Sequence, residues 1–301
     1  MTETLNQDRF NYLGMTVRRF RQQRAIELTQ IKYIDSVRAK LQLGDNELAT
    51  TPWNENLFDI DESALPLEST IAAAFASVLM LMLYVTKTRP DIRCGVIALT
   101  TRMQHPTLDD LAKLVQMGKY LYATKNLPLR ITASNMILVG AADASFGVHV
   151  DKKSHTGLLL WLGNSNAPIM TSSKKQSLVT RSSAEAELVA LDALVYEVIW
   201  IRLILEEMGF KQSDPTTLHQ DNEAAKKLAE DGKPGPRSRS VDIKYFWVRQ
   251  QIDRRLVKLV SVRTDKMLAD GFTKALTGSD FHRWRDKILN LVNSGWIREA
   301  V

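Results

Sequence analysis

Asp143, Glu187, Asp221 and Asp270 are the residues of this 301-residue chain whose types and surroundings suit chemistry. Asp143 closes a small, apolar run, "NMILVGAAD", that reads as a strand. A carboxylate leaving a sheet interior is costly to desolvate unless something holds it. Asp221 directly follows "TTLHQ", a second strand-like run, and sites in open α/β sheets form at strand carboxyl ends. Asp is also a favoured N-cap, and "NEAAKKLAE" after it reads as a helix, so cap and site both stand open for Asp221. Glu187 belongs to a long helix opening "SSAEAELVAL", predicted from about Ser183 to Met208 and stopped by Gly209. Glu185 and Glu187 are two residues apart and so point about 200° away from each other. The face of Glu187 continues through Leu191, Leu194 and Val198, whereas that of Glu185 passes Leu188 and then Asp192. Glu187 therefore heads the inward stripe, and Glu185 meets solvent or caps the first turn. Asp270, in "DKMLADGFTKAL", stands four residues after Lys266. A surface pair there is worth at most about 0.5 kcal/mol, and an inward orientation is equally open. Four free carboxylates in one pocket would repel and raise one another's pKa values. A divalent cation removes the difficulty; all-oxygen donors without a Cys or His cluster suit Mg²⁺ or Mn²⁺. A pair of such ions clamps the attacking and leaving oxygens in phosphoryl transfer.

The elements that must position these acids follow from pattern. "NYLGMTV" reads as a strand, and "TQIKYIDSVRAKLQL" as a helix with a stripe at Ile31, Ile34, Val37 and Leu41. Residues 51–66, acidic and bounded by Pro52 and Pro66, read as a surface connection. Helices are predicted from Leu67 to about Lys87, from near Asp91, and after Pro106, where Thr107 can cap and Asp109 and Asp110 fill the first turn. From about residue 127 strands take over: "LPLRIT", "NMILVGAAD", "TGLLLWLG" and "APIMTSS". The long helix, strand "TTLHQ" and helix "DNEAAKKLAE" follow, then a Gly/Pro/Arg-rich segment, "DGKPGPRSRS". Helix "VDIKYFWVRQQI", strand "RLVKLVSV", helix "DKMLADGFTKAL" and a helical tail from 280 complete the chain, giving a mixed α/β sheet.

Composition bounds the function. Hydrophobic residues make up 45% and charged residues 25%, an ordinary globular balance. A formal net charge of +6 favours polyanions weakly. The single cysteine, Cys94, excludes an intramolecular disulfide and a Cys-based zinc site and fits a small packed residue in a reducing compartment. "MTETLNQDRF" has no secretory core. The longest apolar run, Ile71 to Val85, is 15 residues, short of the roughly 20 that span a bilayer.

Together "ADASFGVHVDKKSHTG", "SSKKQSLVTRSSAEAELVAL", "HQDNEAAKKLA", "RSRSVDIKYFWVRQQI" and "MLADGFTKAL", in this order, resemble the ribonuclease H domain of copia-type LTR retrotransposon Pol polyproteins. Upstream, "NYLGMTV", "TQIKYI", "TRPDIRCGV" and "HPTLDDLAKLVQMGKYLYATKNLPLRI" resemble the end of the palm, the thumb and the connection of the same polyproteins. The resemblance implies an α/β fold: a ribonuclease H-like mixed five-stranded sheet with flanking helices, preceded by a mainly helical region. It divides the chain into 1–50 (palm end and thumb start), 51–130 (helical thumb and connection), 131–277 (ribonuclease H-like) and 278–301 (helical tail). It further implies two Mg²⁺ ions, with Mn²⁺ as a substitute, on Asp143, Glu187, Asp221 and Asp270, and hydrolysis of the RNA strand of an RNA–DNA hybrid. Lys152, Lys153, Lys174, Lys175, Arg237 and Arg239 are candidates for phosphate contact, and His219, two residues before Asp221, for an outer-shell role. The other partner implied is the rest of the Pol polyprotein, and the location is the cytoplasm, in a virus-like particle, with the nucleus as a second destination. No membrane partner is expected.

Departures from the family pattern are Ser145, where a second Asp is frequent, and Ser240, where a His often precedes the Val-Asp-Ile. The only Asp-Asp pair, Asp109–Asp110, opens a helix, so no Tyr-x-Asp-Asp polymerase turn is present, and the first 50 residues are expected to pack on elements that this chain lacks. The competing readings are a catalytically inactive, nucleic-acid-binding or interacting remnant and an integrase-type strand transferase. The transferase usually uses three acids at other spacings than the gaps of 44, 34 and 49 residues here.

Overall fold

The computed structural model describes residues 7–164, 166–231 and 242–291. It falls into two compact units, one formed by the chain up to residue 133 with the stretch from 275, the other by residues 134–274.

The first unit opens with β1 (Arg9–Tyr12) and β2 (Met15–Phe20), an antiparallel hairpin. The single strand expected over "NYLGMTV" is thus two. Leu13 and Gly14 between them have φ of +46° and +72°, the pair of positive values that a tight hairpin turn demands. β3 (Ala25–Thr29) and β4 (Leu129–Thr132) complete a four-stranded antiparallel sheet in the order β1-β2-β3-β4. The strands between Arg9 and Thr29 therefore pair with one another and with β4. β4 pairs with β3 and so belongs to the first unit, and the second unit spans residues 134–274.

Helices α1 (Ile31–Lys40), α2 (Ser69–Val85), α3 (Arg93–Thr100) and α4 (Leu108–Ala123) follow. Thr107 caps α4 as expected, in a reciprocal box with Asp110. The stretch 51–66 is more than a surface connection: Trp53 and Leu57 are buried. The Trp53 indole N–H donates to Leu276 O at 2.9 Å, and its ring meets Phe281 edge-on. Among the described residues no helix is long and apolar enough to cross a membrane.

The second unit is a five-stranded mixed sheet. β5 (Leu138–Ser145), β6 (His155–Leu162) and β7 (Met170–Lys175) form an antiparallel meander. Helix α5 (Ser183–Glu207) then crosses to β8 (Thr216–Gln220), parallel to β5. Helices α6 (Glu223–Asp231) and α7 (Asp242–Asp253) lead to β9 (Val257–Ser261), parallel to β8. The sheet order is β7-β6-β5-β8-β9. Leu191, Leu194 and Val198 of α5 pack in one core with Leu138, Leu160 and Leu218 of the sheet, each worth about 1.5–3 kcal/mol once buried. Gly140 lets α5 approach: a Cβ there would lie 2.7 Å from Leu160 Cδ2 and 3.4 Å from Leu194 Cδ1.

"DKMLADGFTKAL" is not one helix. It forms two 3₁₀ turns, Thr264–Lys266 and Leu268–Phe272, separated by Met267 in extended conformation. Close packing explains the break. A Cβ on Gly157 of β6 would lie 2.8 Å from Phe272 Cβ and 2.9 Å from Ala269 O, so the segment lies against the strand at a distance only glycine permits. Beyond it, α8 (Gly278–Ile288) returns to the first unit.

Candidate metal centre

The acids meet at the switch point of the second sheet. β5 has an antiparallel neighbour on one side and a parallel one on the other, and its ladder to β8 ends at Ala141↔His219. Beyond that point the carboxyl ends of β5 and β8 separate, the place where open sheets bind ligands. Asp143 sits on β5 opposite Gly157. Asp221 follows β8, and Asp270 comes from the 3₁₀ turn laid against β6. One carboxylate oxygen from each of Asp143, Asp221 and Asp270 lies within 4.8 Å of the others. This triad is compatible with a divalent cation: hard, anionic oxygen donors from three separate elements, converging on one point.

Each acid is held by neighbours the fold supplies. Asp143, 2% exposed, accepts a very short hydrogen bond from the Thr273 hydroxyl and faces the Lys274 ammonium at 3.7 Å. Asp270 accepts from Lys274 Nζ at 2.8 Å. Of the two orientations open for Asp270, the inward one is taken, and its ion pair is with Lys274 rather than Lys266. The carbonyls of Phe272 and Thr273 are pinned by Ser173 and Ser145 hydroxyls at 2.8 and 2.9 Å. Ser145, the departure noted above, thus fixes the segment that carries Asp270.

Glu187 is 4% exposed and lies outside the close triad. Its carboxylate takes the Ala144 N–H and the Gln220 amide, the latter at 3.4 Å, and it feels the charges of Asp143 and Asp221. Glu185 serves the helix start instead: its N–H donates to the N-cap Ser182 Oγ, and its carboxylate accepts from the Arg181 N–H. The choice between the two acids by helical face agrees with their places. Asn222, and not Asp221, caps α6, its Oδ1 accepting from Ala225 N–H at 3.0 Å.

Charge crowding shows in the protonation of the cluster. Burial, then the charge of Asp143, lifts Glu187 to about 9. The same two causes lift Asp270 to about 6 against the pull of Lys274. Burial also raises Asp143, although Lys274 and Thr273 pull the other way. Buried carboxylates in excess over the one ammonium beside them are the state a cation relieves.

The weaker candidates lie elsewhere. His219 stacks edge-on against Trp161 at 5.5 Å, and burial lowers its pKa. Lys153 and Lys175 pair with Asp151 at 3.3 and 2.9 Å. Lys152 sits exposed in a turn with φ +60°, and Lys174 is exposed on β7. Arg237, Arg239 and Ser240 lie outside the described residues. The functional neighbours that the sequence did not single out are Thr273, Lys274 and Gln220. For Lys274 a signal existed, since an acid four residues before a base is the favoured order on a helix.

Sheet order, strand directions and the acids at the switch point define a ribonuclease H-like α/β domain. No protein-family model matches the chain. It is 27% identical over 285 residues to the retrovirus-related Pol polyprotein from transposon TNT 1-94 of Nicotiana tabacum, covering 92% of this chain and 21% of that protein. It is 29% identical over 283 residues to the corresponding polyprotein from transposon RE1 of Arabidopsis thaliana, covering 92% and 19%. To the RE2 polyprotein of the same plant it is 32% identical over 207 residues, covering 68% and 14%. The chain thus spans about a fifth or less of the length of these curated relatives. Among solved structures, LC11-RNase H1 isolated from compost aligns with 46% of this chain and 92% of its own, at 13% identity and a TM-score of 0.36. The chain is thus similar over most of its length to Pol polyproteins of plant retrotransposons, a likeness that fits the Ty1/copia type.

Proposed function

We propose that residues 134–274 form a divalent-cation-dependent nuclease centre that hydrolyses the RNA strand of an RNA–DNA hybrid. The observation that carries the reading is the convergence of Asp143, Asp221 and Asp270 within 4.8 Å, beside a buried Glu187 that shares their electrostatic field. These four residues would hold two Mg²⁺ ions, or Mn²⁺, since the donors are all carboxylate oxygens. When bound, such ions supply Lewis acidity to a phosphodiester and offset charge building on its oxygens.

The chain's own groups do the rest. Thr273 orients Asp143, while Gln220 and the Ala144 N–H orient Glu187, so the ligand set is held before a substrate arrives. The sheet edge supplies a rigid base under all of them. Selectivity for the hybrid rests on its shape and on the RNA 2′-hydroxyls rather than on base sequence. The Lys152–Lys153 turn and Lys174 offer backbone contacts, which position but do not specify. The remainder of a Pol polyprotein is the protein partner this reading implies.

The test is incubation of the full chain with strand-labelled RNA–DNA hybrid and Mg²⁺, beside Asp143→Asn and an EDTA control. The expected result is RNA cleavage with the DNA strand intact, lost in the variant and in EDTA. Tight hybrid binding without any cleavage would establish the inactive remnant instead, and joining of DNA ends would establish a strand transferase.

A further inference from the structure

The ammonium of Lys274 occupies an unusual place. Its Nζ is 2.8 Å from Asp270 Oδ1 and 3.7 Å from Asp143 Oδ1, so it bridges two of the three converging aspartates. The side chain is 40% exposed, whereas those of Asp143 and Asp270 are 2% and 15% exposed. The acids are therefore fixed in the fold and the cation reaches them from the solvent side on a flexible four-carbon stem. The backbone beneath is anchored independently, through Thr273 O to Ser145 and Phe272 O to Ser173. Withdrawal of the ammonium thus requires only side-chain rotation.

We infer that Lys274 is the resident counter-cation of the carboxylate cluster and that it yields this place to a divalent ion. This rests on the metal reading proposed above and adds what governs entry to that site. An ammonium 2.8 Å from Asp270 Oδ1 and 3.7 Å from Asp143 Oδ1 repels a divalent ion brought to the same oxygens, so the ion binds more favourably as the ammonium swings away. One positive charge partly offsets the cluster, enough to hold the acids together in the fold but too little to neutralise them. A divalent ion replaces it with twice the charge at shorter range. Lys274 therefore lowers the affinity of the site for metal while it stabilises the metal-free protein. The two effects have opposite signs, which separates this role from plain structural support: a lysine that merely braced the site would, on removal, weaken metal binding.

The experiment is Mn²⁺ titration of the full chain by calorimetry, for the native protein, Lys274→Met, Lys274→Arg and Asp143→Asn, with thermal melts in EDTA. Lys274→Met is expected to bind Mn²⁺ about tenfold tighter, the scale of one unit charge a few ångströms away in a partly screened site. It should also melt at lower temperature than the native chain in EDTA and recover more on adding Mn²⁺. Lys274→Arg should stay near native affinity, and Asp143→Asn should lose binding. If the native chain binds Mn²⁺ and Lys274→Met binds no more tightly, the counter-cation role is overturned and the metal reading stands. If neither protein binds Mn²⁺, the metal reading falls and takes this inference with it.

Discussion

Two buried aspartates, one in each unit, show what a carboxylate inside a protein can be for. Asp91 of the first unit is fully buried, and Asp143 of the second is 2% exposed. Burial pushes both upward, yet they end on opposite sides of the ordinary aspartate value. Asp91 receives the Arg89 guanidinium through two hydrogen bonds of 2.9 and 2.7 Å, and the Tyr120 hydroxyl at 2.5 Å, which together outweigh burial and hold it low. Arg89 is in turn tied to Thr124 O at 2.9 Å. The charges cancel one for one, and the fork geometry satisfies both oxygens. Asp143 shares a single, partly exposed ammonium with Asp270 and has Asp221 as a like-charged neighbour. A closed pair is a finished structural element. An open surplus of negative charge is what a divalent cation would relieve.

The first consequence is the largest. Arg89→Met leaves Asp91 buried without its partner, and breaking such a pair from one side costs about 3–5 kcal/mol. The first unit should lose cooperative unfolding near room temperature, read by urea denaturation and by amide exchange in α4. Asp143→Asn should do the reverse in EDTA, raising the melting point of the second unit, because it removes a charge from a crowded group. If both substitutions destabilised their units equally, the contrast between closed and open clusters would be wrong.

The two units should also answer alkaline pH differently, the second weakening while the Asp91 group of the first stays unchanged. Glu187 and Asp270 have folded pKa values of about 9 and about 6, raised by burial and then by Asp143. A raised acid contributes stability that is present below its unfolded pKa, near 4, and is lost as pH rises through the folded value. The metal-free second unit should therefore weaken as pH rises between about 4 and 9, and saturating Mn²⁺ should erase that slope. Asp91 is lowered, so its contribution is present above the unfolded pKa and fails only in acid, as pH falls through its depressed folded value. The second unit has an acid limb too. His149 and His155 are buried in contact at 3.0 Å, and burial lowers them to about 4 and about 3. Their contribution is complete above about 6.5, the unfolded value, and is lost as pH falls toward those folded values. Melts from pH 4 to 9, with and without Mn²⁺, resolve the limbs. An alkaline slope that Mn²⁺ leaves untouched would contradict the assignment of Glu187 and Asp270 to the cluster.

Much of this contrast was legible in the residues, and the remainder shows where pattern stops. Helical period alone put Glu187 inward and Glu185 toward solvent or the first-turn cap, because apolar neighbours at Leu191, Leu194 and Val198 leave one orientation. The strand carrying Asp143 and the strand before Asp221 were equally plain from their composition. The 3₁₀ turns around Asp270 were not, since they depend on the absent side chain of Gly157, on another strand, and contact distances are invisible to local pattern. The Arg89–Asp91–Tyr120 group was missed for the same reason: Asp91 looks like a helix-start acid until α4 brings Tyr120 to it. The hairpin at Leu13–Gly14 hid within an apolar run because a non-glycine residue, Leu13, takes a positive φ.

The smallest effect tests the finest distinction. Asp221 and Asn222 are adjacent, and sequence alone left both a capping role and a site role open for Asp221. The structure divides the work: Asn222 Oδ1 takes the Ala225 N–H, and Asp221 is left to the triad. Asn222→Ala should then cost about 1 kcal/mol, the usual loss for a removed N-cap, while leaving Mn²⁺ affinity within a factor of about 2. Asp221→Asn should keep the cap, hold stability in EDTA or raise it, and lose Mn²⁺. The first-unit counterpart is Thr107→Ala at α4, which loses a cap of the same kind with no metal site beside it. Equal stability losses at Asn222 and Thr107, with a metal effect at neither, mean that a cap one residue from the cluster behaves as a cap anywhere else. A large fall in Mn²⁺ affinity on losing Asn222 would instead mean that α6 itself holds Asp221 in place, and that the triad is only as rigid as that helix's first turn.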